Sequence, residues 1–399
     1  VIENKIYIDY IISQVSKTKI EKIHPNTLEI LRMAVYQIIF MDKIPDRAAV
    51  NEAVNLSKKY GHKGISGFVN GVLRNIIRNK DKLMEIQVDN KIDFLSIKYS
   101  HSKWMVENWI EDYGYEFTEK ILKGNNSRPK LNIRANTLKI SRDELLNMLS
   151  NYGFNAYETK YAKDGIVIEN PRQITFLDEY KKGYFIIQDE SSMLVSQVID
   201  AREDKLALDL CAAPGGKSTH MGQLMKNSGE IISRDIYEHK LQLIKDNANR
   251  LGIDIIHTEI FDARKLDENL INKVDYCIID APCSGLGIIR RRPEIKWNRK
   301  KEDIKELNSI QWEILNNAKE YLKPGGIMVY STCTISKAEN ENMVERFLCE
   351  NKKFELVDFY DKFSNKENVD NSKNGYLQLF PHIHNTDGFF IAKFKKINS

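Results

Sequence analysis

The chain has 399 residues, and at about 150 residues per domain this length predicts two or three domains. Its 60 Lys and Arg residues against 56 Asp and Glu residues leave a net charge of +4, which excludes a polybasic or acidic tail, so any nucleic-acid surface must be a local patch. Five cysteines without a C-x-x-C pair exclude a disulfide-stapled scaffold, and the lack of an apolar run of about 18 residues excludes a transmembrane helix. We therefore expect a cytoplasmic protein with free thiols.

Residues 1–85 predict an all-α module. Apolar residues recur at intervals of three and four in 28–40, 49–60 and 67–78, which is typical of amphipathic helices. A polar stretch at 79–93 is taken as the first domain boundary, and another helix is predicted for 100–110. Because the chain begins at Val1 without a methionine, we expect it to be a piece of a longer gene product.

Residues 95–190 predict a helical linker followed by a small α+β subdomain. From Leu131 the pattern becomes mixed, with a strand at 131–136, a helix at 142–149 and three further strands at 154–159, 165–169 and 183–189. From residue 191 to 399 strands and helices alternate, which is typical of a doubly wound, mostly parallel sheet. Seven strands are predicted there, at 206–210, 230–235, 255–261, 275–280, 326–331, 354–357 and 388–394.

A glycine turn follows the first strand of this last region, in the segment C-A-A-P-G-G-K at 211–217. Such a turn lets backbone N–H groups approach a ligand. Four strand ends carry carboxylates, Asp209, Asp235, Asp262 and Asp280, and a carboxylate about 20 positions past the turn suits a ribose diol. The turn is neither G-x-G-x-x-G nor a Walker A loop, so we expect S-adenosylmethionine, against the alternative that the glycines only make a tight turn.

Two cysteines follow predicted strands at the same end of the sheet. Cys283 lies in D-A-P-C-S-G and Cys333 in S-T-C-T. A thiolate that adds to carbon 6 of a pyrimidine activates carbon 5 toward a methyl donor, and a base must then remove the carbon 5 proton. Residue types leave open which cysteine is the nucleophile. For the remaining cysteines, Cys211, Cys277 and Cys349, a buried structural role is the simpler interpretation.

Five motifs occur together in one order: C-A-A-P-G-G-K (211–217), D-A-P-C-S-G-L-G (280–287), R-R-x-P-E-I-K-W (290–297), S-T-C-T (331–334) and T-D-G-F-F-I-A (386–392). In these motifs the chain resembles the RsmB/Sun family of RNA cytosine-5 methyltransferases over nearly its whole length. Residues 31–37, 49–54 and 67–75 resemble the NusB-like RNA-binding domain of the 16S rRNA members, and the chain is expected to start inside that domain.

The resemblance implies a class I, Rossmann-like methyltransferase fold and a role for each motif residue. It implies that Cys333 is the nucleophile, that Cys283 assists product release, that Asp280 bonds the exocyclic amine of the target cytosine and that Lys217 lines the active site. It implies that S-adenosylmethionine is held by the residues of the glycine turn and by three carboxylates: Cys211, Ala212, Ala213, Pro214, Gly215, Gly216, Lys217, Asp235, Asp262 and Asp280.

Basic residues cluster just past the P-C motif, where positive charge would meet RNA phosphates and an indole could stack on a base. The candidates for RNA contact are Arg290, Arg291, Arg292, Lys296 and Trp297, followed by Arg299, Lys300 and Lys301. A solvated helix start is the simpler alternative. His382 and His384 lack further ligands at suitable spacing, so no metal is expected.

We therefore expect a monomeric rRNA cytosine-5 methyltransferase with 16S rRNA as partner and no membrane attachment. A different methyl acceptor, such as tRNA or DNA, is one alternative. A non-catalytic RNA-binding assembly factor is another, and the intact Cys283, Cys333 and Asp280 argue against it.

Overall fold

The structure, a computed structural model, describes residues 1–61, 64–169, 171 and 173–397. The helices in chain order are α1 Lys5–Val15, α2 Pro25–Phe40, α3 Asp46–Tyr60, α4 Ile65–Arg78, α5 Lys80–Met84, α6 Lys91–Tyr99, α7 Lys103–Tyr113, α8 Tyr115–Asn125, α9 Arg142–Asn151, α10 Asp178–Lys181, α11 Glu190–Ile199, α12 Gly216–Leu224, α13 Glu238–Leu251, α14 Ile295–Asn298, α15 Lys301–Tyr321, α16 Glu341–Glu350 and α17 Pro381–His384.

The strands are β1 Leu131–Ala135, β2 Asn155–Glu158, β3 Gly165–Glu169, β4 Phe185–Ile187, β5 Lys205–Asp209, β6 Gly229–Asp235, β7 Ile256–Ile260, β8 Val274–Asp280, β9 Leu322–Thr332, β10 Phe354–Leu356, β11 Tyr376–Leu379 and β12 Phe389–Lys396. Each strand predicted from the sequence is present within a few residues of its expected bounds. In the part of the chain that the structure describes, β11 is an additional strand that the sequence analysis did not predict.

Two compact units divide the chain. The first comprises Val1–Asn126 together with Arg292–Asn298, and the second comprises Ser127–Arg291 and Arg299–Ser399. The first unit therefore contains α6, α7 and α8, whereas the sequence-based division assigns residues 95–190 to a helical linker and small α+β subdomain.

The first unit is helical because its apolar residues lie on one face of each helix. In α4 the buried residues Val69, Val72, Leu73 and Ile76 recur at helical spacing. They pack with Leu31, Val35 and other apolar residues of α1, α2 and α3 in one cluster. Full burial of each such side chain contributes about 1.5–3 kcal/mol. The amphipathic pattern of the sequence is thus explained by this core.

The second unit contains two sheets. The small one is antiparallel, with the order β2-β3-β1-β4. The large one has eight strands in the order β10-β12-β9-β8-β5-β6-β7, with β11 paired to β12. The five strands from β9 to β7 are parallel, whereas β10, β11 and β12 pair antiparallel. The predicted α/β fold is confirmed as a mixed sheet of eight strands instead of seven.

The parallel part of the large sheet positions the site. All its strands point the same way, so the residues after β5, β6, β7, β8 and β9 meet at one edge. Buried side chains on both faces form two apolar clusters, one packed against α15 and α16 and the other against α11 and α12. No helix in the described ranges is long and apolar enough to cross a membrane.

Candidate active site

The two cysteine-bearing turns lie side by side because β8 and β9 are parallel neighbours. Asp280, at the end of β8, is paired in register with Ser331 near the end of β9. Cys283 and Cys333 follow these strand ends, and their Sγ atoms are 3.2 Å apart. The structure thus brings together the two thiols that are 50 positions apart in the sequence.

Backbone hydrogen bonds join the two turns to β12. The Gly287 N–H donates to the Cys333 carbonyl at 3.0 Å, and the Gly388 N–H donates to the Gly287 carbonyl at 2.9 Å. A Cβ atom on Gly287 would lie 1.9 Å from the Gly388 oxygen, a distance that no side chain tolerates. The motifs around Cys283, Cys333 and Gly388 therefore form one packed assembly.

The contact between the sulfurs affects the protonation of Cys283. Its hydrogen bond with Cys333, together with burial, raises the pKa of the Cys283 thiol well above its usual value. Cys283 therefore keeps its proton in this arrangement.

Lys217 and Asp280 form an ion pair beside the cysteines. The Lys217 Nζ lies 2.5 Å from Asp280 Oδ2, and the Ser331 hydroxyl donates to Asp280 Oδ1 at 3.0 Å. Lys217 reaches this point from the first turn of α12, where its ammonium group also lies 5.6 Å from the centre of the Phe389 ring. The pair brings both charges, predicted as catalytic, to the edge of the sheet.

The glycine turn forms because Gly215 adopts a left-handed conformation, with φ of 98°, just before α12 begins. Glycine adopts this conformation without the strain that a Cβ atom would cause. The Ala212 N–H donates to the Arg234 carbonyl at 2.8 Å, and the Thr219 hydroxyl donates to the Gly215 carbonyl at 2.7 Å. These bonds fix the loop against β6 and against the start of the helix.

A cavity of about 460 Å³ lies next to this loop. Its polar lining includes Asp235, Asp262 and Asp280, and its apolar lining includes Leu210, Ile236, Ala263, Ile310 and Ile314. Carboxylates beside apolar walls suit a ribose diol next to a flat purine ring. Two further predicted residues, Cys211 and Ala213, also line it.

A second cavity, of about 340 Å³, lies on the other side of the loop. Ala213 and Asp280 line both cavities, whereas Ala212, Pro214, Gly216 and Lys217 line only the second. The remaining lining of the second cavity comes from α10, α13 and the segment 186–192, which runs from β4 into α11. The predicted cofactor residues therefore line two cavities that share Ala213 and Asp280.

Comparison with known proteins identifies the family of the chain. A family model described as 16S rRNA methyltransferase RsmB/F matches residues 196–395, the NusB family matches 1–78, and an RsmF/B-like ferredoxin-like domain matches 101–175. The chain is 40% identical over 396 residues to the probable ribosomal RNA small subunit methyltransferase B of Bacillus subtilis (strain 168), covering 99% of the chain and 88% of that relative. This chain belongs to the RsmB/F family of 16S rRNA methyltransferases.

Two further similarities extend over most of this RsmB/F family member. It is 32% identical to the ribosomal RNA small subunit methyltransferase B of Proteus mirabilis (strain HI4320), over 92% of the chain and 81% of that relative. The solved structure of PH0851 matches it with a TM-score of 0.82 and 29% identity, over 99% of the chain and 88% of that structure. The cofactor of this methyltransferase family is S-adenosylmethionine, and the carboxylate-lined cavity fits it.

The carboxylates at the four strand ends differ in their surroundings. Asp209 is buried, accepts a hydrogen bond from Ser218 Oγ at 2.7 Å, and has its pKa raised to about 6 by burial. Asp262 is held by Arg264, which lowers its pKa. Asp235 accepts the Tyr237 N–H at 3.2 Å. Asp209 does not line the cavity, so it supports the glycine turn from behind.

The other three cysteines of the RsmB/F chain lie in different environments. Cys277 is fully buried in β8, and burial raises the pKa of its thiol. Cys211 is half-buried in the cofactor loop, and burial likewise raises its pKa. Cys349 is exposed on α16. None of the three is in the sulfur pair.

Three residues of the cluster predicted to contact RNA have hydrogen-bond partners within the protein. Arg290 is buried and donates to Asp387 Oδ1 at 2.7 Å, so it is engaged inside the second unit. Lys296 is 1% exposed and donates to the Glu3 carbonyl and to Asn126 Oδ1. Trp297 donates from its indole to the Ile2 carbonyl at 2.9 Å. The sequence pattern could not predict these hydrogen bonds, because the partner residues lie far away in the sequence.

The other basic residues retain exposed surface. Arg291 is partly exposed and pairs with both Asp387 and Asp189, while Arg292, Lys300 and Lys301 are exposed. Arg299 donates to the carbonyls of Ser284 and Cys283 and so supports the P-C turn.

Two residues with clear structural roles at the site were missed from the sequence. Arg134 of β1 is fully buried and donates to the Gly216 carbonyl at 2.7 Å and to the Thr219 hydroxyl at 3.2 Å, so it fixes the cofactor loop to the small subdomain. Glu339 is fully buried beside Ser284. The sequence around Glu339, K-A-E-N-E-N, has the composition of a solvated helix start and carried no signal.

Proposed function

We propose that this RsmB/F chain transfers the methyl group of S-adenosylmethionine to carbon 5 of a cytosine in 16S rRNA through a covalent bond between Cys333 and carbon 6. The observation that carries the proposal is the contact of the Cys283 and Cys333 sulfurs, 3.2 Å apart, next to the Lys217–Asp280 ion pair. A non-catalytic RNA-binding protein would not need two thiols in contact at the edge of a cofactor cavity.

Cys333 forms the bond to carbon 6 of the cytosine ring. Carbon 5 of a pyrimidine is a poor nucleophile, and addition of a thiolate to carbon 6 makes it reactive. The bound cofactor supplies an electrophilic methyl group. A base then removes the proton at carbon 5, the bond between carbon 6 and sulfur breaks, and the thiol is restored. The family resemblance assigns this role to Cys333, and the protonated state of Cys283 supports the assignment.

Cys283 assists the release of the product. It keeps its proton because the contact with Cys333 and burial raise its pKa. A protonated thiol 3.2 Å from the leaving sulfur can give that proton to the Cys333 sulfur as the bond to carbon 6 breaks, and the base that took the carbon 5 proton then returns a proton to Cys283. Without Cys283 the covalent adduct should persist.

Asp280 and Lys217 orient the ring and balance its charge. Each carboxylate oxygen of Asp280 has lone pairs beyond those used by Lys217 and Ser331, so the exocyclic amine of cytosine can donate to it. The Lys217 ammonium group can offset the negative charge that develops on the ring when the thiolate adds. Because Asp280 lines both cavities, it can face the cofactor in the first cavity and the target cytosine in the second.

The RNA surface of the proposed enzyme includes the exposed part of the basic cluster, Arg291, Arg292, Lys300 and Lys301. Guanidinium and ammonium groups contact phosphates without reading the sequence. We further propose that the protein acts as a monomer, since both cysteines, Lys217 and Asp280 lie in one unit of one chain, and that it acts in the cytoplasm, where its five cysteines would remain free thiols.

Bisulfite sequencing of 16S rRNA tests the substrate. Cells lacking the gene should lose one or more 5-methylcytosines, and the wild-type gene should restore them whereas Cys333→Ala should not. If every 16S position stays methylated and a tRNA position loses its methyl group, the acceptor is tRNA and the rRNA proposal is wrong.

A further inference from the structure

Two consecutive residues, Glu339 and Asn340, lie between the cysteine-bearing turns. They follow Cys333 by six and seven positions, just before α16, and both are fully buried. The Tyr330 hydroxyl donates to the Glu339 carbonyl at 2.8 Å, which ties this pair of residues to β9.

Glu339 holds the turn that carries Cys283. Its Oε1 accepts the Ser284 N–H at 2.8 Å, and its Oε2 accepts the Ser284 hydroxyl at 2.5 Å. Gln311, from α15, donates to Glu339 Oε1 at 3.0 Å and to the Pro282 carbonyl at 2.9 Å. The residues on both sides of Cys283 are therefore tied to one carboxylate and its amide partner.

Asn340 holds the turn that carries Cys333 in the same way. Its Oδ1 accepts the Thr332 hydroxyl at 2.6 Å, and its Nδ2 donates to the Thr334 carbonyl at 3.1 Å. The second Nδ2 proton is donated to Gln378 Oε1 at 2.7 Å. The hydroxyls of Thr334 and Ser284 are 2.8 Å apart and join the two turns directly.

We propose that Glu339 and Asn340 are positioning residues that set the separation of the two reacting sulfurs, each through the residues that flank one cysteine. The proposal rests on the proposed function. A single peptide bond joins Glu339 to Asn340, so a shift of one turn relative to the other would strain the hydrogen bonds of both. A displacement of about 1 Å at a reacting centre lowers the rate about 100-fold, so the separation of the two sulfurs must be held closely.

Direct proton transfer by Glu339 is the competing role for a buried carboxylate. Burial does raise the pKa of Glu339, while its hydrogen bonds oppose the shift. However, its side chain is not exposed, and its oxygens already accept hydrogen bonds from Ser284 and Gln311. No substrate atom reaches it, so it acts through Ser284.

The comparison of Glu339→Ala with Glu339→Gln tests the proposal. Glutamine keeps an oxygen for the Ser284 N–H and places an amide beside the Ser284 hydroxyl. The rate of covalent adduct formation with a 16S rRNA fragment that contains 5-fluorocytosine should fall about 100-fold in Glu339→Ala and stay within about threefold of wild type in Glu339→Gln. A glutamine variant as slow as the alanine variant would instead identify Glu339 as a proton acceptor and overturn the positioning role.

A second readout does not depend on methylation. Dibromobimane becomes fluorescent when both of its ends are joined to sulfur, and mass spectrometry identifies the joined peptides. In wild type and Glu339→Gln it should bridge Cys283 and Cys333, and in Glu339→Ala or Asn340→Ala the bridged yield should fall severalfold. An unchanged bridged yield in both alanine variants would refute the positioning role, even if 16S rRNA is not the substrate. If the wild-type protein does not methylate the rRNA but the alanine variants still show a reduced bridged yield, only the proposed function is wrong.

Two controls separate positioning from loss of fold. Glu190→Ala removes another buried carboxylate, one that accepts the backbone N–H groups of Tyr161 and Ala162, and should leave the bridged yield unchanged. If Glu339→Ala does not fold, Gln311→Leu replaces it, because leucine fills the space but makes neither hydrogen bond. Gln311→Leu should slow adduct formation about tenfold while the affinity for S-adenosylmethionine stays unchanged, and a wild-type rate would contradict the proposal.

Discussion

The Lys217 ammonium group lies 2.5 Å from the carboxylate of Asp280, a residue that lines both cavities of the second unit. The side chains are 11% and 28% exposed, so the pair is partly shielded from water. Charged hydrogen bonds of this kind are stronger than neutral ones. The ion pair therefore fixes the direction in which each charged group faces the target cytosine.

Asp280→Asn should remove the charge with little change of shape. We expect the rate of methyl transfer to fall about 100-fold or more. Asparagine has one accepting oxygen where aspartate has two, and Lys217 loses its negatively charged partner. Single-turnover methylation of a 16S rRNA fragment at saturating S-adenosylmethionine measures this loss, and calorimetry measures any change in cofactor affinity, because Asp280 also lines the proposed cofactor cavity. Wild-type turnover in this variant would remove Asp280 from the proposed mechanism.

Gly287→Ala should disrupt the turn of Cys333. The added Cβ atom would lie 1.9 Å from the Gly388 oxygen and 2.9 Å from the Cys333 oxygen, so the backbone must shift. Overpacking of this kind costs about 1–3 kcal/mol, and we expect a lower melting temperature together with a slower methylation rate. The matched control is Gly71→Ala in α4, where a Cβ atom meets nothing within 4 Å. A Gly287→Ala variant that behaves like Gly71→Ala would contradict the close packing of the three motifs.

Much of this arrangement could be predicted from the sequence, because strand ends follow from apolar runs and parallel strands align their ends. Asp280, Cys283 and Cys333 were placed at one edge on that basis alone. The sequence could not show that Lys296 and Trp297 are bonded to the first residues of the chain, since nothing local distinguishes a buried lysine from a solvated one. Glu339 and Arg134 were missed for the same reason: their partners are distant in sequence, and their roles depend on burial.

His220 should make stability depend on pH. It is 2% exposed, and burial lowers its pKa from 6.5 to about 4, so it is neutral in the folded protein at pH 5 while the unfolded chain is protonated. The stability it provides is therefore present above pH 6.5 and is lost as the pH falls toward about 4. Between pH 7 and pH 5 wild type should lose about 2 kcal/mol more than His220→Gln, as urea denaturation at both values would show. Parallel losses in the two proteins would show that His220 does not cause the dependence.

Substitution of Lys296 should affect stability, whereas substitution of Arg292 should affect RNA binding. Lys296→Met leaves the Glu3 carbonyl and Asn126 Oδ1 without their donor, so the first unit should lose about 1–3 kcal/mol while the salt dependence of RNA binding stays unchanged. Arg292→Gln, at an exposed position, should reduce the slope of log affinity against log salt by about 1 without loss of stability. RNA affinity measured at several salt concentrations distinguishes them, and a reduced slope in Lys296→Met would show that the buried lysine reaches RNA.

The covalent role of Cys333 is the central claim, and one gel tests it most directly. Cys283→Ala and Cys333→Ala are each incubated with a 16S rRNA fragment and S-adenosylmethionine, and the products are separated under denaturing conditions. Cys283→Ala should accumulate a slowly migrating protein–RNA adduct, because it lacks the thiol that assists release, and Cys333→Ala should form neither adduct nor 5-methylcytosine. An adduct with Cys333→Ala, or methylation by it, would contradict the assignment of Cys333 as the nucleophile.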